Sequence, residues 1–191
     1  MASGEAGETA PMRRMQGAPL GSEAPLEMEA QAVMRIAISG TRDISSIGIS
    51  VVRNRMKEIM LECPEKLIFG GARGTDTVAL MSAGDLRTST GSPKFEVIVP
   101  RRLKDQPLEA QRVIRQYADE VFELGSPRLD ASAYRRRNRE LVSRADHLVA
   151  FWDGCSSGTG MTIAIAREIG ISVEVIQVDG SSVVDGNKIC P

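Results

Sequence analysis

The sequence predicts an α/β protein in which a mainly parallel sheet is covered by helices on both faces. Three observations carry this. Five short apolar runs (34–39, 66–69, 95–100, 147–152 and 172–178) alternate with longer stretches whose apolar residues recur at helical spacing. The runs lack the in–out alternation of a half-exposed strand, which fits burial from both sides. Polar or glycine-rich turns follow the first, second and fourth runs, at the carboxyl ends where such sheets gather ligands.

"MRIAIS" (34–39) ends at Gly40 and reads as strand one. "IGISVVRNRMKEIMLE" (47–62) places Ile47, Val51, Val52, Ile59 and Met60 near helical spacing. "KLIF" (66–69) is strand two, and "TDTVALMSAGDL" (75–86) is a helix with Gly84 as its weak point. "FEVIVP" (95–100) is strand three, closed by proline. "PLEAQRVIRQYADEVFEL" (107–124) starts as a helix and turns extended toward "EVFEL". "DASAYRRRNRELVSRA" (130–145) is a helix capped by Asp130 or Ser132. "HLVAFW" (147–152) is strand four, "SGTGMTIAIAREIG" (157–170) a helix stopped by glycine, and "SVEVIQV" (172–178) strand five. Right-handed crossovers then predict a Rossmann-like three-layer sandwich over residues 34–178, with strand order about 3-2-1-4-5.

Residues 1–33 are rich in Gly, Ala, Glu and Pro and show no sustained period. They are predicted to be disordered, because they bury too little to offset chain entropy. They lack the apolar core of a signal peptide, and Met28 or Met34 offers an alternative start just before the first strand. Residues 179–191 read as a loose tail or small hairpin. The 191-residue chain carries 24 basic and 25 acidic residues, a net charge of -1 that announces no nucleic-acid protein yet leaves room for a local basic patch. No apolar run reaches the length of a membrane-spanning helix. Cys63, Cys155 and Cys190 match no zinc spacing, and an odd count suits no disulfide framework, so a reduced, cytoplasmic protein is expected. His147 has no companion ligands and reads as a strand-edge residue. No metal and no cofactor is predicted.

The turn "GGARGTD" is the densest chemical signal. Glycine accepts positive φ and lets backbone approach a ligand. The helix that follows offers unpaired N–H groups and positive partial charge, so the turn is suited to phosphate or another anion. Gly70, Gly71 and Gly74 would let the backbone approach the ligand, Arg73 would add a bidentate contact, and Asp76 would serve as a helix cap or an acceptor for a ribose hydroxyl or base. Two more turns repeat the arrangement: "ISGTRD", with Gly40, Thr41 and Arg42, and "WDGCSSGTGMT", with Ser157, Gly158 and Thr159. Neither glycine-rich turn carries the Gly-Lys-Ser/Thr of a P-loop, and no G-x-G-x-x-G follows strand one. In the arginine-rich helix, Arg137 and Asn138 stand near the start, within reach of the sheet's carboxyl edge.

These residues, "GGARGTD" and "RRRNRELVSRADHLVAFWDGCSSGTGMTIAIAREIGISVEV", resemble the SLOG superfamily, which includes the DprA (Smf) DNA-processing proteins and the LOG phosphoribohydrolases. The small single-domain YAcAr and YspA-like families are the nearest in pattern, over about residues 35–178. The resemblance implies a Rossmann-like domain whose ligand loops are Gly40 to Arg42, Gly70 to Asp76, Arg137 with Asn138, and Ser157 to Thr159. It also implies a homodimer. The LOG catalytic glutamate is absent, since Thr162 stands at its place. Three readings follow. The first is a sensor or carrier binding a nucleotide or nucleotide-derived small molecule. The second is a DprA-like single-stranded DNA binder with a basic stripe from the 135–144 arginines, Arg101, Arg102 and Lys104, and with Tyr134 and Trp152 near the cleft. The third is a LOG-like nucleotide phosphoribohydrolase that uses Asp76 or Asp153 as a substitute acid. Catalysis is left undecided.

Overall fold

The computed structural model describes residues 34–87 and 93–178. The expected disordered segment 1–33 and tail 179–191 lie outside the described residues. The elements run β1 (Arg35–Gly40), α1 (Ser46–Leu61), β2 (Lys66–Phe69), α2 (Thr75–Leu86), β3 (Lys94–Val99), α3 (Leu108–Tyr117), β4 (Glu120–Glu123), α4 (Ala131–Ser143), β5 (His147–Trp152), α5 (Ser157–Ile169) and β6 (Ser172–Gln177). A single-turn 3₁₀ helix, Leu103–Asp105, precedes α3. The sheet has six strands in the order β4-β3-β2-β1-β5-β6, and every pairing is parallel. The expected order of five strands is therefore embedded in it. The sixth strand is "EVFE", the segment whose extended character interrupts the helical pattern. It lies at the edge beside β3, which explains its two glutamates and its exposed Val121.

Alternation along the strands sorts the core into two layers. Ile36, Ile38, Phe69, Phe95, Val97 and Val99 face α1, α2 and α3, while Ala37, Ile68, Ile98, Leu148 and Ala150 face α4 and α5. Phe69 and Phe95 meet edge to face with ring centroids 6.0 Å apart. One charged group enters this apolar sheet. Glu96, 2 % exposed, accepts from Lys66 Nζ at 2.8 Å and is paired with Arg144. Arg144 also pairs with Glu140 and lies 4.1 Å over the Phe122 ring, so it ties the end of α4 to β3 and β4.

Helix starts divide by capping. Ser45 Oγ accepts from the Gly48 N–H at the start of α1, and Asp130 accepts from the Ala133 N–H at the start of α4. α2 begins at Gly74, α3 at Pro107 and α5 at Ser156, each without a side-chain cap. Of these, α2 and α5 start directly after the loops that follow β2 and β5.

Truncating a fully buried ring tests the two-layer packing. Phe69→Ala is expected to lower unfolding free energy by about 3–5 kcal/mol in urea titration, with cooperativity retained.

Candidate functional site

Four segments meet at the carboxyl edge: the ends of β1, β2 and β5, and the first turns of α4. Thr41 joins the three loops. Its N–H donates to the Phe151 carbonyl at 3.0 Å, and its own carbonyl accepts from the Thr75 N–H at 3.1 Å and the Thr75 hydroxyl at 2.9 Å. Its hydroxyl donates to Asp153 Oδ2 at 2.7 Å. Asp153 Oδ1 in turn accepts from the N–H groups of Cys155 and Ser156 at 2.9 and 2.7 Å. Burial raises the Asp153 carboxyl, but the Ser156 N–H, the Thr41 hydroxyl and the Cys155 N–H together hold it below its ordinary 3.8. The third loop is thus shaped around a carboxylate.

Beneath these loops lies a buried ion pair. Arg137 Nη1 is 3.6 Å from Asp76 Oδ2, and the two side chains are 9 % and 5 % exposed. Asp76 Oδ2 also accepts from the Ala72 N–H at 3.1 Å. Among the described residues, Arg137 Nε is buried and has no hydrogen-bond partner. Burial pushes the Asp76 carboxyl up, with Arg137 and the Ala72 N–H only partly opposing it; burial likewise pulls the Arg137 guanidinium down. A charged donor held this way, with one N–H unspent, is suited to an incoming anion.

The glycines of "GGARGTD" make this possible by a route other than backbone approach to a ligand. A Cβ on Gly70 would sit 1.5 Å from Arg137 Nη1, so glycine there is what lets the guanidinium lie against the end of β2. Gly74 has φ +78° and packs on the Arg42 backbone, where a Cβ would come within 2.1 Å of the carbonyl oxygen. Gly71 faces Val97, Val99 and Ile114. Gly158 is the opposite case: a Cβ there meets nothing within 4 Å, so the first turn of α5 opens onto free space.

That space is a cavity of about 550 Å³, bounded by Thr41, Arg42, Tyr134, Asp153, Ser157 and Gly158. A narrower recess of about 50 Å³ adjoins it, with Gly40, Ala72, Asp76, Arg137, Asn138 and Thr159 in its walls. Arg42 lies 4.8 Å over the Tyr134 ring and lines both spaces, and it also borders a second cavity of about 540 Å³ that contains Arg73 and Gly74. Asn138 Nδ2 donates to the Gly158 carbonyl at 3.4 Å, joining α4 to α5.

Ten of the residues named from sequence therefore line the cavity or its recess: Gly40, Thr41, Arg42, Ala72, Asp76, Arg137, Asn138, Ser157, Gly158 and Thr159. Gly70 and Thr75 lie behind the recess as packing. Arg73 turns away to pair with Asp43 at 2.9 Å. Ser39, Ser156 and Met161 also line the site without a separate signal in the sequence, Ser156 and Met161 sitting inside the "WDGCSSGTGMT" turn. Trp152 supports that turn from below, its indole N–H donating to the Ser156 carbonyl at 3.0 Å. Thr162, 1 % exposed, donates to the Gly158 carbonyl at 2.9 Å.

The expected basic stripe is largely spent on the protein itself. Arg144 serves Glu96 and Glu140, Arg139 pairs with Glu168, Arg101 pairs with Asp105, and Arg136 donates to the Leu124 carbonyl. Arg102, Lys104 and Arg135 are exposed. The Cys155 sulfur is disulfide-bonded, a departure from the expected reduced state; Cys63 is a free, exposed thiol. Among the described residues no group of three or more His, Cys, Asp or Glu is placed to hold a metal ion, and no helix is long and apolar enough to cross a membrane.

The sequence profile of the family described as DNA recombination-mediator protein A matches residues 24–189. Comparison with curated protein sequences finds no match. Among solved structures, DNA processing protein A from Helicobacter pylori, described for its single-stranded DNA binding mode, aligns with TM-score 0.61 and 21% identity over 75% of this chain and 65% of that one. DNA processing protein A from Streptococcus pneumoniae aligns with TM-score 0.61 and 24% identity over 80% and 52%. The chain thus spans 65% and 52% of the lengths of these two proteins. A molybdenum cofactor binding protein from Rippkaea orientalis aligns with TM-score 0.58 and 18% identity over 78% and 80%. At these identities the likeness is one of fold.

Two substitutions test the site's construction. Asp76→Asn leaves Arg137 buried without its counter-charge and is expected to cost about 3–5 kcal/mol in urea unfolding. Asp153 has a folded pKa below its unfolded value, so its stabilisation is present above about pH 4 and lost as pH falls through the lowered value. Asp153→Asn is therefore expected to narrow its stability gap from the parent protein as thermal unfolding is followed from neutral pH to about pH 2.5.

Proposed function

The chain belongs to the DNA recombination-mediator protein A family, and from that premise we propose that it binds single-stranded DNA along the carboxyl edge of its sheet. The observation that carries the reading is Arg137: a buried guanidinium with an unspent Nε–H, beside the uncapped start of α5. Helix N–H groups and an arginine together favour a phosphate. Next to them, Arg42 and Tyr134 present a stacked cation and ring, the kind of surface on which bases lie in sequence-tolerant single-strand binding. Because most other arginines are engaged within the protein, the contact is short. It involves two or three phosphates rather than a long basic groove.

A second reading has its own support. The cavity of about 550 Å³ is in the size range of small-molecule sites, and the cofactor-binding protein from Rippkaea orientalis matches this chain over a similar share of both lengths. Under that reading the occupant is a free nucleotide or nucleotide-derived compound. A LOG-like hydrolase reading gains nothing at Thr162, whose hydroxyl is turned to the Gly158 carbonyl.

Salt separates the two. Neutralising about two or three phosphates of a single strand gives a slope of log affinity against log salt of about −1.5 to −2. Fluorescence anisotropy of a labelled oligothymidylate across a salt series is expected to give that slope. Tyr134→Ala is expected to weaken binding by about tenfold or more, the worth of one stacked base. Saturable binding of a nucleoside monophosphate with no binding of any strand would select the second reading.

A further inference from the structure

Resting on the single-strand reading, we propose that the recess beside Arg137 takes a terminal phosphate monoester and excludes an internal phosphodiester, which makes the protein a reader of phosphorylated strand ends. The recess of about 50 Å³ has room for a small group and none for a nucleoside. The adjoining cavity of about 550 Å³ has room for the attached nucleoside.

Thr75 packs against Gly40 in the recess wall, and Arg137 packs against Gly70. The recess shares Arg42, Tyr134, Ser156, Gly158 and Met161 with the wide cavity, so the two spaces open onto each other along that side. An internal diester needs chain leaving in two directions from the phosphorus, whereas a monoester needs one.

Charge favours the terminal group as well. A monoester carries about −1.5 to −2 at neutral pH, against −1 for a diester. Asp76 occupies the Nη1 side of Arg137, and the buried Nε–H is the donor without a partner among the described residues. The first turn of α5 adds N–H groups that no side chain caps. The more highly charged terminal group gains more from both.

The same chemistry is offered by a phosphorylated strand end and by a free mononucleotide, and the test has an arm for each. Oligothymidylates of one length carrying a 5′-phosphate, a 3′-phosphate, hydroxyl ends or a closed circle are compared by competition, alongside thymidine and its 5′-monophosphate. At least tenfold tighter binding of one phosphorylated strand over the hydroxyl-ended and circular strands is expected. Gly158→Val places a side chain at the mouth, where a Cβ has open space, so its unfolding midpoint is expected to match the parent while the phosphate preference disappears. Phosphorylated, hydroxyl-ended and circular strands binding within twofold of one another would overturn the recess assignment and leave the single-strand reading standing. A preference that persists in folded Gly158→Val would also overturn the assignment. If no strand binds but the monophosphate does and thymidine does not, the recess assignment stands and the single-strand reading falls. If nothing binds, both fall.

Discussion

The arrangement of this site depends on keeping the Arg137 guanidinium out of water, against backbone that carries no side chain. A buried arginine is costly unless its charge is met. Here Asp76 meets it from α2 while Gly70 leaves it room at the end of β2. Two segments distant in sequence are therefore committed to one another: the β2–α2 turn cannot change without displacing a residue of α4, and α4 cannot shift without exposing Asp76. The Glu96–Arg144 contact at the C-terminal end of α4 secures the same helix to β3. α4 is thus held by ion pairs at its middle and at its C-terminal end, which fixes Arg137 and Asn138 relative to the sheet edge.

Thr41 performs the corresponding role for the loops. Its main chain bonds β5 and α2, and its hydroxyl bonds the carboxylate around which the third loop folds. These bonds cross-link three loops that would otherwise be independent surface turns. The consequence is preorganisation: the start of α5 and the arginine are held in place before any ligand arrives.

Much of this was legible in the sequence, and the failures have physical causes. Apolar runs alternating with helical periods gave the layers, and the turns after strands one, two and four gave the edge where the site lies. The strand "EVFE" shows in the sequence only as an extended ending to a helical stretch, because a short edge strand bounded by a glutamate at each end lacks the solid apolar signature of its buried neighbours. In the sequence the glycines of "GGARGTD" point to ligand approach. No local pattern reveals that the space over Gly70 is taken by an arginine from a helix much later in the chain. In the same way, a run of arginines in one helix looks like a basic stripe until their partners on other elements are known. Arg139 and Arg144 turn out to be bound to Glu168 and Glu96. The Thr41 junction could not be read either, since a single threonine after a strand carries no signal of the two loops it bonds.

Anion binding at the unspent donor of Arg137 is tested most directly by nitrogen–proton NMR of arginine side chains, with the Arg137 Nε–H resonance assigned through its loss in Arg137→Lys. This resonance is expected to move along a saturable curve as thymidine 5′-monophosphate or a phosphorylated oligothymidylate is added, and to stay in place with thymidine. A resonance that remains fixed while surface arginine signals move would contradict anion binding at that donor.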